Sequence, residues 1–322
     1  MAFQWLRRAC LLAACASALV VAACGGGSIV SGFTPARVVA FGDAMGDLGQ
    51  NGSRYTINDG SGNNNWTLQV ANSYGRPLAA SAAGGLSFAT GNARVVATPD
   101  AAGNAATPTI QQQIDGFLAS GTLSETDLVL VSGGTSDLIV EVQAVLAGTQ
   151  TEDQMRAKLE TAARALSAQV QRLVDAGAHH VAIAGPYNLG RSAWANPAQT
   201  GQSGLMENAT RTFNRRLVAS MVNLGANVLY VDFEQQINLA TANPGDGAFA
   251  LSNVTTVVCT SVDPGPGIGT GAGQVNSNLC TPSTLVAGAD STRFLWADRV
   301  YPTPRGHQIL GEFAFNQIHN RW

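Results

Sequence analysis

Lysine is almost absent from this chain. Lys158 is the only one in 322 residues, and the other cations are arginines. Eighteen basic and 21 acidic side chains give a formal charge of −3 and an isoelectric point near 5.8. That balance leaves no basic field for nucleic acid and argues against a polyanion as the general partner. Histidine is scarce as well, with four residues and none at a metal-ligand spacing, and there are five cysteines. Neither count supports a zinc site, and no cofactor is expected. No repeat of 20–50 residues is apparent, and the chain has no G-x-S-x-G elbow of the α/β-hydrolase type. The apolar run from Ala9 to Cys24 is too short to span a bilayer.

That run follows Arg7-Arg8 and has the shape of a signal-peptide core. Its end, Val21-Ala22-Ala23-Cys24, resembles a bacterial lipobox, in which small residues admit the signal peptidase and the cysteine is acylated. An ordinary A-x-A cut nearby, releasing a soluble secreted protein, is the alternative. Gly25-Gly26-Gly27-Ser28 reads as a flexible tether. The expected organisation is a signal peptide over 1–23, a lipoprotein tether over 24–36 held to the membrane through Cys24, and one domain over 37–322. With 45% hydrophobic residues, a single α/β domain of that length has ample core. Cys10 and Cys15 leave with the signal peptide and Cys24 takes the lipid. Cys259 and Cys280 remain, and in an exported protein such a pair is most simply a disulfide closing the Gly/Pro-rich loop from Thr260 to Leu279.

Apolar β-type runs recur between longer helical patterns at Val38–Phe41, Leu128–Ser132, His180–Ala184 and Val228–Asp232. The alternation predicts a mostly parallel sheet covered by helices. Met155, Leu159, Ala162, Ala163, Leu166, Val170 and Leu173 recur at helical spacing within Thr151–Ala176, which stops at Gly177. A second helix is predicted over Leu205–Leu224, and Thr303-Pro304 supplies the cap and first turn of a last one running to about Ile318. Between 51 and 106 the chain is rich in Gly, Asn, Ser and Thr, and only Trp66–Tyr74 looks helical. The rest of that segment reads as long loops over one face, where α/β proteins place ligand contacts.

Within this pattern, Val38-Val39-Ala40-Phe41-Gly42-Asp43-Ala44-Met45-Gly46-Asp47-Leu48-Gly49 closely resembles the first block of the GDSL (SGNH) ester hydrolase family. Gly85-Leu86-Ser87-Phe88-Ala89-Thr90-Gly91-Asn92-Ala93 is similar to its second block. Residues 108–117 followed by Asp127–Ser132 resemble the lead into its third, and Gly177–Val181, Gly185–Arg191 and Phe213-Asn214 follow in family-like order. The resemblance covers roughly residues 37–318. It implies a three-layer α/β sandwich, flavodoxin-like, with a mostly parallel central sheet and carboxylic ester hydrolysis as the ancestral chemistry.

The resemblance also assigns roles, and the chain departs from them where the chemistry lies. The family's nucleophilic serine falls at Ala44, which has no hydroxyl. Its oxyanion hole is formed by backbone N–H groups at the positions of Ala44 and Gly91 and by an asparagine amide, and Ser136 replaces that asparagine in Gly134-Thr135-Ser136-Asp137. Its Asp-x-x-His-Pro block stands as Asp298-Arg299-Val300-Tyr301-Pro302. Tyr301 therefore replaces the general base, and a phenol with a pKa near 10 is a poor base at neutral pH. Asp298 is left without an imidazole to orient and reduces to a turn or cap carboxylate. His307 is the only nearby histidine and belongs to the final helix. Ser87, Ser132 and Ser136 lie near the predicted site, but a serine hydroxyl needs a neighbouring base. Losing members of a serine–histidine–aspartate unit costs on the order of 10⁴–10⁶ in rate. The expectation is an exported, lipid-anchored pseudoenzyme that holds an acylated, lipid or carbohydrate ligand without turning it over. The alternative is an active ester hydrolase with a rearranged site.

Overall fold

Residues 32–265 and 270–322 are described by the computed structural model. The signal peptide, Cys24 and the tether as far as residue 31 lie outside the described residues. Four short β-rich runs, β1 (Val38–Gly42), β2 (Leu128–Ser132), β3 (His180–Ala184) and β4 (Val228–Val231), pair in parallel in the order β1-β2-β3-β4. Every residue of β1 and β2 is buried, and strands covered on both faces read as continuous apolar runs rather than alternation. The register sets Val38 against Leu128 and Leu128 against His180, so Gly42, Ser132 and Ala184 end in one row at the carboxyl edge.

Among the described residues seven α-helices cover the sheet: α1 (Trp66–Ser73), α2 (Ile110–Ser120), α3 (Thr135–Leu146), α4 (Glu152–Asp175), α5 (Ser203–Ser220), α6 (Phe233–Ala242) and α7 (Pro304–Arg321). Helices α2 to α5 pack on one another, α4 most extensively against α5. A second group has α7 packed on α1 and touching α6. The result is a three-layer α/β sandwich. Among the described residues no helix is long and apolar enough to cross a membrane.

The local chemistry that marked the helix ends is in place. Thr151 caps α4 by accepting the Gln154 N–H, with the reciprocal Gln154 contact, and the predicted apolar stripe from Met155 to Leu173 is the face α4 buries. Thr303 caps α7, with Pro304 in its first turn. A cap of this kind contributes roughly 1 kcal/mol.

Several boundaries differ from the sequence reading. The helix expected over Leu205–Leu224 starts at Ser203, and its end is a separate 3₁₀ turn at Val222–Leu224. Strand β4 stops at Val231 because the Asp232 side chain turns back to accept the Gln235 N–H at 2.9 Å and caps α6. The loops expected over 51–106 are largely loops, but residues 86–90 run beside β1. Ala40 N–H reaches Leu86 O at 2.9 Å, Phe88 N–H reaches Ala40 O at 2.7 Å, and Thr90 N–H reaches Gly42 O at 3.0 Å. This is a rudimentary fifth strand, short and bounded by Gly85 and Gly91 within a Gly/Ser/Ala-rich stretch.

A second, two-stranded parallel sheet joins β5 (Asn253–Val257) to β6 (Phe294–Trp296). Beside it Cys259 and Cys280 form a disulfide with 5.9 Å between Cα atoms. Both sulfurs' residues are buried, packed with Ile57, Val258 and Ala297 in a small cluster of their own. This lobe leads directly into Asp298 and Tyr301.

Candidate active site

At the end of β1 the chain turns sharply under the position where an ester hydrolase of this type needs its nucleophile. Gly42 is required there, because a Cβ at this residue would stand 2.2 Å from the Ser132 carbonyl oxygen. The Gln113 side chain holds Gly42 by both edges of its amide: Oε1 accepts the Gly42 N–H at 2.9 Å and Nε2 donates to Gly42 O at 2.9 Å. Asp43, fully buried, accepts the Met45 N–H at 3.0 Å and the Thr135 N–H at 3.1 Å, and it also draws the Ser136 N–H. Its carboxylate thus ties the β1 turn to the first turn of α3. Burial pushes its pKa up to about 7, against the opposing pull of those backbone donors.

Ala44 sits at the turn's centre with no solvent exposure. The next carboxylate, Asp47, accepts Gly49 N–H at 2.8 Å and Gln50 N–H at 2.9 Å on one oxygen and Gly91 N–H at 2.8 Å on the other. Gly91 was expected to offer that N–H to an oxyanion. The structure differs: the donor is engaged by Asp47, because the first and second blocks are stitched together through this bond. The α-carbon of Gly91 is covered too, since a Cβ there would meet the Tyr55 ring at 2.2 Å.

Tyr55 lies in tilted contact with Tyr301, with ring centroids 5.1 Å apart. Tyr301 is fully buried, and its hydroxyl has no hydrogen-bond partner among the described residues. Burial raises its pKa well above the usual phenol value, and the nearby Asp43 carboxylate pushes it further the same way. Such a group does not act as a base. Ser136 is likewise fully buried with an unpartnered Oγ. Asp298 accepts Ser277 N–H at 2.8 Å, Val300 N–H at 2.8 Å and Tyr301 N–H at 2.6 Å, which makes it the carboxylate of a tight turn. Burial raises its pKa against those donors. Tyr187 supports the same turn from outside by donating its hydroxyl to Val300 O.

The structure therefore gathers the sequence-derived positions Ala44, Gly91, Ser136, Asp298 and Tyr301 around the carboxyl edge of the sheet, and it closes them off from solvent. Two tyrosine rings occupy the approach. His307 is hydrogen-bonded to none of the serines near the site: it is fully buried on α7, beside the Tyr55 backbone, with its Nδ1 3.4 Å from the Trp66 nitrogen at the start of α1. Burial lowers its pKa to about 4, so it is a neutral imidazole at neutral pH. The other histidines are elsewhere. His180 stacks on Phe33 at 3.8 Å, His319 stacks on Phe315 at 5.5 Å, and His179 is exposed. No imidazole is bonded to Ser87, Ser132 or Ser136, whose Oγ atoms have no partner among the described residues. Among those residues no group of three or more His, Cys, Asp or Glu side chains could hold a metal ion.

Sequence reasoning missed three residues that shape this site. Gln113 and Asp47 lie inside family-like blocks, and their polar side chains at otherwise buried ground were the available signal. Tyr55 lies in a loop, and nothing in its surroundings along the chain marked it.

A parallel α/β sandwich with a strand-to-turn nucleophile position at its carboxyl edge is the scaffold of a serine ester hydrolase. The chain belongs to the GDSL-like Lipase/Acylhydrolase family, which it matches over residues 38–314. It is 23% identical over 213 residues to a Pseudomonas putida protein described as an uncharacterized protein in the trpE-trpG intergenic region, covering 64% of this chain. The chain spans only 31% of the length of that curated relative. Among solved structures, it is similar to a member of the lipolytic protein G-D-S-L family from Veillonella parvula (TM-score 0.47, 12% identity, 87% of this chain and 96% of that one). It is also similar to a carbohydrate acetylesterase from Sinorhizobium meliloti (0.46, 11%, 89% and 99%) and to a putative arylesterase from Agrobacterium tumefaciens (0.44, 12%, 89% and 99%).

Proposed function

We propose that this chain is a non-hydrolytic member of its family, exported and lipid-anchored through Cys24, that binds an acylated, lipid or carbohydrate ligand. One observation carries the reading. Tyr301 fills the general-base position as a fully buried phenol and packs with Tyr55 over Gly91, while Ala44 offers no nucleophilic oxygen. Catalysis of acyl transfer needs an activated nucleophile, a base and a prepared oxyanion site together. Here the first two are replaced, and the Gly91 donor is already satisfied.

Ligand contact then falls on the loops outside the sealed site. A cleft of about 330 Å³ lies between the loop carrying Asp59, Ser61 and Asn63, the disulfide lobe at Thr292, and Gln308 on α7. That volume is within the usual range for small-ligand sites. Its lining combines the hydroxyl and amide groups of Ser61, Asn63, Ser291, Thr292 and Gln308 with Ile57, Leu285 and two prolines, and with one charge of each sign from Asp59 and Arg305. Among the three ligand classes this chemistry favours a carbohydrate.

The test is labelling with a serine-directed fluorophosphonate alongside turnover of short-chain aryl esters. The expected result is no labelling and no hydrolysis above a serum albumin control. Labelling that disappears in Ser132→Ala, Ser136→Ala or Ser87→Ala would establish the alternative, an active hydrolase with a relocated nucleophile.

A further inference from the structure

One cleft on the described surface is lined chiefly by arginines. It encloses about 610 Å³ between α4 and α5, and its lining includes Arg156, Arg211, Arg215, Arg216 and a single carboxylate, Glu160. The α5 residues that face it recur at helical spacing through positions 208, 211, 212, 215, 216 and 219, so one stripe of α5 is turned toward it. In a protein whose net charge is −3, four guanidinium groups converging on one cleft form a local exception.

The pairing of these arginines is uneven. Glu160 is shared, since Arg216 reaches it at 2.9 Å and Arg164 at 2.8 Å. Arg156 pairs with Glu152 and Asp153 on its own helix, and Arg211 pairs with Glu207 one turn back. Such exposed pairs along a helix are worth only about 0.3–0.5 kcal/mol and are easily exchanged for a better acceptor. Arg215 is exposed and forms no ion pair among the described residues, although it also borders a neighbouring cleft lined by Asp232 and Glu234, and Arg216 Nε is buried without an acceptor. Asn208 and Thr212 add neutral donors to the same lining.

We infer that this cleft is a binding site for a phosphate-type oxyanion bearing at least two charges. A carboxylate is planar and carries one charge. A tetrahedral oxyanion accepts from several directions at once, which suits arginines arriving from two helices. The site stands apart from the sealed catalytic position and does not depend on whether that position is active. The phosphate group is the recognised chemistry, and a soluble phosphate and a lipid headgroup are its two sources.

The experiment uses the purified protein and Arg215→Gln, an exposed position whose substitution leaves the fold intact, with Arg215→Lys as the charge-conserving companion. Inorganic pyrophosphate is titrated by calorimetry against sodium chloride of matched ionic strength. In parallel, flotation is measured with vesicles of phosphatidylcholine alone and with added phosphatidic acid, using protein lacking residues 1–31 so that no lipid anchor contributes. Pyrophosphate binding weakened at least about tenfold in Arg215→Gln and less in Arg215→Lys supports the site with a soluble ligand. Flotation that requires phosphatidic acid and is lost in Arg215→Gln supports it with a headgroup. Binding in neither arm, or binding that Arg215→Gln leaves unchanged, overturns the proposal.

Discussion

Asp47 takes the backbone N–H of Gly91 at 2.8 Å, and with that bond the donor expected to stabilise an oxyanion is committed within the protein. Under the non-hydrolytic reading proposed above, the side chains at 44, 136 and 301 are what the chemistry lacks. Restoring chemistry should accordingly need several changes at once. Ala44→Ser alone is expected to yield no ester turnover above control, because an unassisted hydroxyl stays protonated at neutral pH. Ala44→Ser with Tyr301→His should give measurable turnover, since Asp298 already lies behind residue 301, and adding Ser136→Asn should raise it by about 10². A single Ala44→Ser variant that matches the triple variant would show that these groups do not act as a unit.

Tyr301 offers a cleaner test of how the site is closed. Its hydroxyl is buried and unpartnered among the described residues, so Tyr301→Phe is expected to leave urea stability unchanged or raise it by about 1 kcal/mol. Tyr301→Ala removes a fully buried ring and should cost about 3–5 kcal/mol. A Phe variant clearly less stable than the parent would mean the hydroxyl has a partner after all.

Two buried titratable groups give opposite pH dependences. Asp43, raised to about 7, contributes stability that is full below its unfolded value near 4 and is lost as pH rises through 7. His307, lowered to about 4, contributes stability that is present above its unfolded value near 6.5 and is lost as pH falls through 4. Comparing His307→Gln with the parent isolates the second term, since Asp43 is common to both. The stability difference between them should shrink by about 3 kcal/mol between pH 7.5 and pH 4, read from urea midpoints at each pH. A difference that does not change with pH would place the imidazole in contact with solvent.

Reduction of Cys259–Cys280 releases a loop whose ends are 21 positions apart. The chain-entropy account assigns about 3 kcal/mol to closing a loop of that size. A Cys259→Ser/Cys280→Ser variant should lose about that much stability, most visibly as protease cleavage between residues 260 and 279. Intact mass with and without reductant checks the bond itself, and two free thiols in the oxidised protein would contradict it.

For the anchor, the mature protein is expected to begin at an acylated Cys24 and to fractionate with membranes. Cys24→Ser should move it to the soluble fraction. If the substituted protein stays membrane-bound, another surface holds it there.

Strands β1 to β4 were legible because each is a short apolar run, buried on both faces in β1 and β2, and α4 because its seven apolar core residues keep helical spacing over about five turns. Helices α3 and α6 were not. Each begins immediately after a strand, with Gly134 or Asp232 as the hinge, so no polar linker separates the two patterns. The 86–90 edge strand is only five residues long and is joined to β1 by main-chain bonds, and main-chain pairing leaves little imprint on side-chain type. At the site, the substitutions at 44, 136 and 301 were visible as departures from a pattern. The closure was not, because the position of the Tyr55 ring over Gly91 depends on where a long loop comes to rest, and no local spacing encodes that.

The Gln113 amide grips Gly42 from beneath through both its oxygen and its nitrogen. The bend that carries residue 44 is therefore held by bonds that do not involve the side chain at 44. A serine or an alanine at 44 leaves each of these bonds in place. Chemistry and architecture are separable at this position, which leaves the architecture free to be put to another use.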